Sequence, residues 1–153
     1  MNDTIRSLKK YEMSVPASPE QVFPLLCPVK ELEWLPYWNC EMIYSKSGVA
    51  ELDCVFKTDL PDRGKMVWVV TQYEPPKLVQ YTILKPQSHT LNLTIRVRSE
   101  GSNSSLLIWQ HVFTSLTDEG NQYLREYTDE NLRLHLQKIE ECLVHFLKTG
   151  EMM

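Results

Sequence analysis

The side chains best suited to acid–base chemistry in this sequence are His111, Glu33 and Tyr81, and aromatic residues surround each of them. His111 follows Trp109 by two positions in a strand-like segment, so both side chains are expected on one face of a sheet. An imidazole on the inner face could act as a general base or a hydrogen-bond donor near neutral pH. A purely structural histidine is the alternative, and a one-residue slip of the strand would turn His111 outward.

Carboxylates flank the most aromatic segment of the chain, residues 34–38. Glu33 precedes this segment and Glu41 follows it, so these two carboxylates are the candidates to meet a ligand at the mouth of the fold. Solvated surface glutamates are the alternative for both. Trp34 and Trp38, within the segment, either seal the core or line an entrance.

Aromatic and sulphur side chains recur at alternate positions of the predicted strands, which places them on one face of the sheet. Tyrosine and tryptophan carry a polar group that a sealed core must satisfy but that a pocket can offer to a ligand. A plain hydrophobic core is the alternative. The predicted ligand-binding wall consists of Trp34, Trp38, Tyr44, Phe56, Met66, Trp68, Tyr81, Leu93, Trp109 and Phe113.

Other kinds of functional site lack support in the sequence. The histidines at positions 89, 111, 135 and 145 show none of the short spacings of zinc sites. No glycine-rich phosphate loop and no G-x-S-x-G motif are present, so neither a nucleotide cofactor nor a serine nucleophile is indicated. A net charge of −4 argues against binding a phosphate backbone. The sequence therefore predicts no metal, no cofactor and no nucleic-acid partner.

The composition is that of a globular protein, with 42% hydrophobic and 24% charged residues among 153, and one domain is the simplest arrangement. No run of about 18 apolar residues occurs, and no basic region followed by an apolar one opens the chain. We therefore expect neither export nor stable membrane insertion. The four cysteines lie far apart without a C-x-x-C pair, which is typical of reduced thiols in a cytoplasmic protein.

The capping motifs, the turn-forming residues and the spacing of the apolar residues predict strands, two short helices and one long helix. The motif Ser18-Pro19-Glu20-Gln21 predicts a capped helix start, and Pro24 should bend or stop that helix early. From Asp118 to Gly150 a stripe of apolar residues at helical spacing predicts a long helix, which Thr128 could recap after a local break. The predicted strands are 5–15, 40–46, 51–58, 65–74, 78–84, 90–100 and 105–115.

This order resembles the SRPBCC superfamily, which includes START-like domains, polyketide cyclase/dehydrase proteins and the birch-pollen-allergen family. The resemblance is carried by residues 18–26, 34–38, 48–56 and 115–121, which are markers of fold rather than of catalysis. It implies an α+β helix-grip fold over residues 1–153, in which a seven-stranded curved antiparallel sheet wraps around a long C-terminal helix. Two short helices are expected between strands 1 and 2.

Three function classes remain open on this basis. The first is binding, transport or sensing of a hydrophobic or amphipathic small molecule, such as a lipid or polyketide, in an internal cavity. The second is a cyclase, dehydratase or hydrolase that uses His111, Glu33 or Tyr81 in the same cavity. The third is a co-chaperone-like interaction protein whose cavity is partly filled by side chains. A homodimer through the outer sheet face or edge is compatible with all three.

Overall fold

The computed structural model describes residues 3–153, so Met1 and Asn2, part of the N-terminal stretch considered above, lie outside the described residues. The strands are β1 Arg6–Val15, β2 Glu41–Tyr44, β3 Val55–Leu60, β4 Gly64–Glu74, β5 Leu78–Lys85, β6 His89–Gly101 and β7 Ser104–Ser115. The helices are α1 Pro19–Val22, α2 Pro28–Glu31, α3 Asp118–Glu126 and α4 Asp129–Thr149.

The strands form one antiparallel sheet in the order β1-β7-β6-β5-β4-β3-β2, which confirms the predicted helix-grip architecture. β1 pairs with β7 from Arg6 opposite Thr114 to Val15 opposite Ser105, so the first strand closes the sheet beside the last. The concave face of the sheet packs against α4, and the hydrophobic core fills the space between them.

The short helices between β1 and β2 follow from two prolines. Ser18 caps α1 through a capping box with Gln21, as predicted. At Phe23 the helix tightens into a 3₁₀ turn, residues 23–26, because Pro24 lacks the amide that an α-helix would need there. Pro28 then begins α2 at the position that tolerates proline best. The predicted early stop of the first helix is therefore confirmed.

The predicted long helix is interrupted once. Tyr127 has extended backbone angles (φ −86°, ψ 92°), which end α3, and Thr128 starts α4 through a capping box with Asn131. The break turns the apolar stripe of α4 towards the sheet, as its helical spacing predicts. The stripe residues Leu132, Leu136, Ile139 and Leu143 are all buried.

Two expectations for the second and third strands are wrong. Tyr44 was expected to face inward, but it is 64% exposed. A register shift after Met42 pairs Tyr44 with Val55, which faces the opposite side of the sheet from Phe56. The predicted strand 51–58 begins too early, since residues 51–54 form a turn before β3, and this leaves Leu52 exposed.

Candidate functional site

An internal cavity of about 70 Å³ lies between the concave face of the sheet and α4. Side chains from β3 to β7 form its floor, and α4 and the segment after β1 cover it. Its lining comprises Leu26, Glu31, Leu35, Tyr37, Trp38, Leu60, Arg63, Met66, Trp68, Tyr81, Ile83, Leu91, Leu93, Ile95, Trp109, His111, His135, Leu136 and Ile139.

The aromatic part of this wall is held by both ring packing and hydrogen bonds. Trp68 meets the rings of Trp38 and Tyr81 edge to face, with both pairs of ring centroids 5.5 Å apart. Its indole N–H donates to Thr58 Oγ1 over 2.9 Å. Tyr81 Oη donates to the carbonyl of Leu26 over 2.8 Å. With their polar atoms occupied by protein partners, these rings present mainly apolar faces to the cavity.

Two polar atoms of strand β7 lack a partner in the part of the chain that the structure describes. Among residues 3–153, Trp109 Nε1 and His111 Nδ1 are buried side-chain atoms with no hydrogen bond. Both side chains line the cavity, so the predicted register of this strand is correct. Burial, with smaller effects from Arg63 and Lys9, lowers the pKa of His111 to about 3. The imidazole is therefore neutral at pH 7.

The carboxyl group of the cavity comes from Glu31, which the sequence analysis did not select. Glu31 is partly exposed as a whole residue, yet desolvation raises the pKa of its carboxyl well above the usual value. No side-chain donor among the described residues hydrogen-bonds to that carboxyl, which leaves burial as the one cause of the shift. The neutral acid form is thus favoured. The inward direction of Glu31 could have been predicted, because it precedes the buried Leu35 by four residues, the spacing that places two side chains on one face of a helix.

A wider vestibule of about 470 Å³ lies beside the cavity and shares Tyr37, Arg63 and His135 with it. The ring centroids of Tyr37 and His135 are 6.2 Å apart. Burial, followed by the charges of Arg63 and His111, lowers the pKa of His135 to about 3. The remaining vestibule residues are Pro61, Asp62, Tyr123, Tyr127 and Asn131.

The predicted site residues fall into separate groups in the structure. Those that line the cavity are Trp38, Met66, Trp68, Tyr81, Leu93, Trp109 and His111. Phe113 lines a smaller neighbouring cavity of about 30 Å³ that also contains His111. Trp34 and Phe56 are fully buried core residues outside the cavity lining, and the Trp34 indole donates to the Leu25 carbonyl over 2.8 Å.

The two carboxylates selected from the sequence lie on the surface instead. Glu33 forms an exposed ion pair with Lys30 over 3.2 Å, and Glu41 forms one with Lys57 over 3.2 Å. Glu33 lies two positions after Glu31, the last residue of α2, so the two side chains point in different directions. Glu33 therefore lies outside the cavity lining, in agreement with the alternative of a solvated surface glutamate, and the carboxyl residue that lines the cavity is Glu31.

Within residues 3–153, no group of three or more histidine, cysteine, aspartate or glutamate side chains is clustered as metal ligands are. No helix in this described part of the chain has the length and apolar character required to cross a bilayer.

Solved structures with the same fold cover nearly the whole chain. Norcoclaurine synthase from Thalictrum flavum, solved with dopamine and hydroxybenzaldehyde, has a TM-score of 0.67 at 13% identity, over 94% of this chain and 90% of that one. Ara h 8.0201 has a TM-score of 0.65 at 15% identity, over 95% and 99%. A protein from Chromobacterium violaceum has a TM-score of 0.60 at 18% identity, over 95% and 97%.

The comparison with curated proteins found no match. A family model described as polyketide cyclase / dehydrase and lipid transport matches residues 10–142. The match spans most of the chain, from β1 to near the end of α4, and it confirms the resemblance inferred from the sequence. The chain therefore belongs to the polyketide cyclase/dehydrase and lipid transport family.

Proposed function

We propose that the protein binds a small amphipathic molecule whose apolar part enters the cavity between the sheet and α4. One observation carries this proposal: Trp109 Nε1 and His111 Nδ1 are buried in the cavity wall without hydrogen-bond partners among the described residues. Buried polar atoms in a sealed core are nearly always hydrogen-bonded. A ligand that carries a polar atom near these two groups would satisfy them while its apolar surface contacts the surrounding rings.

The size of the cavity defines how such a ligand would lie. A volume of about 70 Å³ is smaller than the apolar cavity of about 150 Å³ that holds benzene in another protein. The vestibule of about 470 Å³ is within the range of about 300–1,000 Å³ for small-molecule sites. We therefore propose that the ligand occupies the vestibule and inserts one end into the cavity. Each methylene group buried there contributes about 0.8 kcal/mol.

The chemical class of the ligand, the location of the protein and its oligomeric state are further parts of the proposal. The family description favours a lipid or a polyketide, and the aromatic compounds bound by norcoclaurine synthase favour an aromatic ligand. Reduced cysteines suit a cytoplasmic location, and four free thiols are present in the structure. A homodimer stays part of the proposal because the edge strand β2 exposes Ile43 and Tyr44.

Native mass spectrometry of protein purified at neutral pH tests this function. Wild-type protein is expected to carry a co-purified small molecule that acid releases. Leu93→Phe places a larger side chain in the cavity wall and is expected to reduce the ligand-bound fraction at least tenfold. Leu134→Phe makes the same change on the exposed face of α4 and serves as the matched control. Equal ligand occupancy in both variants would contradict the proposed position of the ligand.

An acid–base enzyme is the second candidate, favoured by the shifted pKa values of two cavity residues. Burial raises the pKa of the Glu31 carboxyl and lowers the pKa of His111 to about 3, so a carboxyl biased towards its acid form and a neutral imidazole line the same space. If the protein is an enzyme, the molecule that co-purifies with Glu31→Gln is expected to change mass when it is incubated with wild-type protein, because the variant retains a substrate that the wild type converts. If the same molecule co-purifies with both proteins and does not change, binding alone is favoured.

A further inference from the structure

Arg63 occupies the junction of the cavities described above. It lies in the turn between β3 and β4, where its amide donates to the Leu60 carbonyl over 3.2 Å. Its side chain lines the central cavity, the vestibule and the smaller cavity beside Phe113. A ligand that passes from the vestibule into the interior would therefore contact the guanidinium group.

The guanidinium group lacks an anionic partner. Its side-chain hydrogen bond is to Tyr127 Oη, over 3.3 Å, and among residues 3–153 no carboxylate lies within 4.0 Å of it. Arginine has five N–H donors in a fixed planar arrangement that matches a carboxylate. Donors therefore remain for an acceptor that arrives from the vestibule.

The electrostatic surroundings of Arg63 favour an anion. Burial raises the pKa of the Glu31 carboxyl in the central cavity, which disfavours its anionic form. The nearby His111 and His135 are neutral at pH 7, because burial lowers the pKa of each to about 3. Lys85 lines the smaller cavity and donates from Nζ to the Arg63 carbonyl, which adds positive charge. The negative charge of Asp62 lies on the exposed rim of the vestibule.

Building on the proposed function, we propose that the ligand is an amphipathic carboxylic acid whose carboxylate binds the Arg63 guanidinium. Its apolar part then extends past Met66 and Leu91, which line both the central and the smaller cavity. Tyr127, which is bound to Arg63, offers its hydroxyl as a second polar contact. This arrangement places the charge at the cavity entrance, and a further polar atom of the natural ligand would lie deeper, near Trp109 Nε1 and His111 Nδ1.

Isothermal titration calorimetry with decanoate and decanol tests this inference, because the two probes share a ten-carbon chain and differ in charge. Wild-type protein is expected to bind decanoate about 10- to 100-fold more tightly than decanol, because hydrogen bonds to a charged carboxylate are stronger than those to a neutral hydroxyl group. Arg63→Met keeps an unbranched apolar stem and should abolish this preference, because it weakens decanoate binding about 10- to 100-fold and decanol, which has no charge, much less. Arg125→Met, on the exposed side of α3, is the matched control.

The outcomes separate the carboxylate inference from the proposed function. Decanol binding as tight as decanoate binding to wild-type protein would overturn the carboxylate inference and leave the cavity as a ligand site. Equal loss of both affinities in Arg63→Met would also overturn it. Binding of neither probe would overturn it for alkyl acids, and a co-purified neutral molecule in the mass spectrum would still support the proposed function. If Arg63→Met does not fold, the wild-type preference and an Arg63→Lys variant, expected to retain part of it, decide the question.

Discussion

Acidification from pH 7 to pH 5 is expected to lower the free energy of unfolding by at least about 3 kcal/mol. Burial lowers the pKa of His111 and of His135 to about 3, and that of His89 to about 4. The folded protein keeps these imidazoles neutral at pH 5, whereas the unfolded chain protonates them near pH 6.5. The stability that the neutral histidines contribute is therefore complete above pH 6.5 and is lost as the pH falls.

Glu31 opposes this effect but does not cancel it. The pKa of its carboxyl is raised by burial, so unfolding above pH 4.5 releases a proton, and the protein gains stability from this group as the pH falls. Each proton taken up or released changes the free energy of unfolding by about 1.4 kcal/mol per pH unit. On unfolding, the buried His89 and His111 and the half-buried His135 take up protons while one carboxyl releases one, so the net change is a loss.

Urea unfolding of the wild type and of His111→Gln at pH 7, 6 and 5 measures this contribution. The variant lacks one of the titrating groups, so its stability should fall by about 2 kcal/mol less between pH 7 and pH 5. The comparison at pH 7 gives the packing cost of the substitution alone and serves as the internal control. The same fall in both proteins would show that His111 titrates normally in the folded state.

Gly120→Ala is expected to destabilise the protein by about 3 kcal/mol, at the upper end of the usual cost of overpacking. A β-carbon at position 120 would stand 1.8 Å from the carbonyl oxygen of Ser88, which is backbone and cannot rotate away. The carbonyl is held by the amide of Leu116 over 2.8 Å. The substitution therefore has to separate α3 from the turn between β5 and β6.

A neighbouring substitution on α3 controls for helix propensity. Gln122 is exposed and its side chain bonds only to the exposed Glu126, so Gln122→Ala should change the free energy of unfolding by less than about 0.5 kcal/mol. Both variants and the wild type are compared by urea unfolding at pH 7. A Gly120→Ala protein as stable as the Gln122→Ala protein would mean that α3 does not pack closely on the turn.

The fold was predictable because most of its strands and helices are marked by patterns among residues close together in the sequence. Alternation in β6, where Leu93, Ile95 and Val97 are buried while Arg96 and Arg98 are exposed, defines both the strand and its inner face. The capping motif at Ser18 marks a helix start in the same way. Tyr44 was misplaced because a register shift depends on how β2 meets β3, and no periodicity within β2 indicates it.

The candidate site was predictable only in its apolar part. Trp68, Tyr81 and Trp109 belong to alternating strands, so their inward direction follows from local pattern. Arg63 lies in a turn, and its role depends on α3 and α4 packing back over that turn, which a local pattern does not indicate. The position of His135 does follow from a local pattern. It lies four residues before Ile139, so helical spacing places it beside the buried stripe of α4.

The four tryptophan indole groups provide the most direct test of ligand binding in the cavity, by ¹H–¹⁵N correlation spectroscopy. The indole N–H groups of Trp34, Trp38 and Trp68 donate to Leu25, Pro28 and Thr58, whereas that of Trp109 has no partner within residues 3–153. Titration with decanoate and with decanol is expected to shift the Trp109 resonance in a saturable manner, with Trp34 unchanged as the internal control. If a compound that binds by calorimetry leaves the Trp109 resonance unmoved, or if Trp34 moves as much, binding inside the cavity is contradicted.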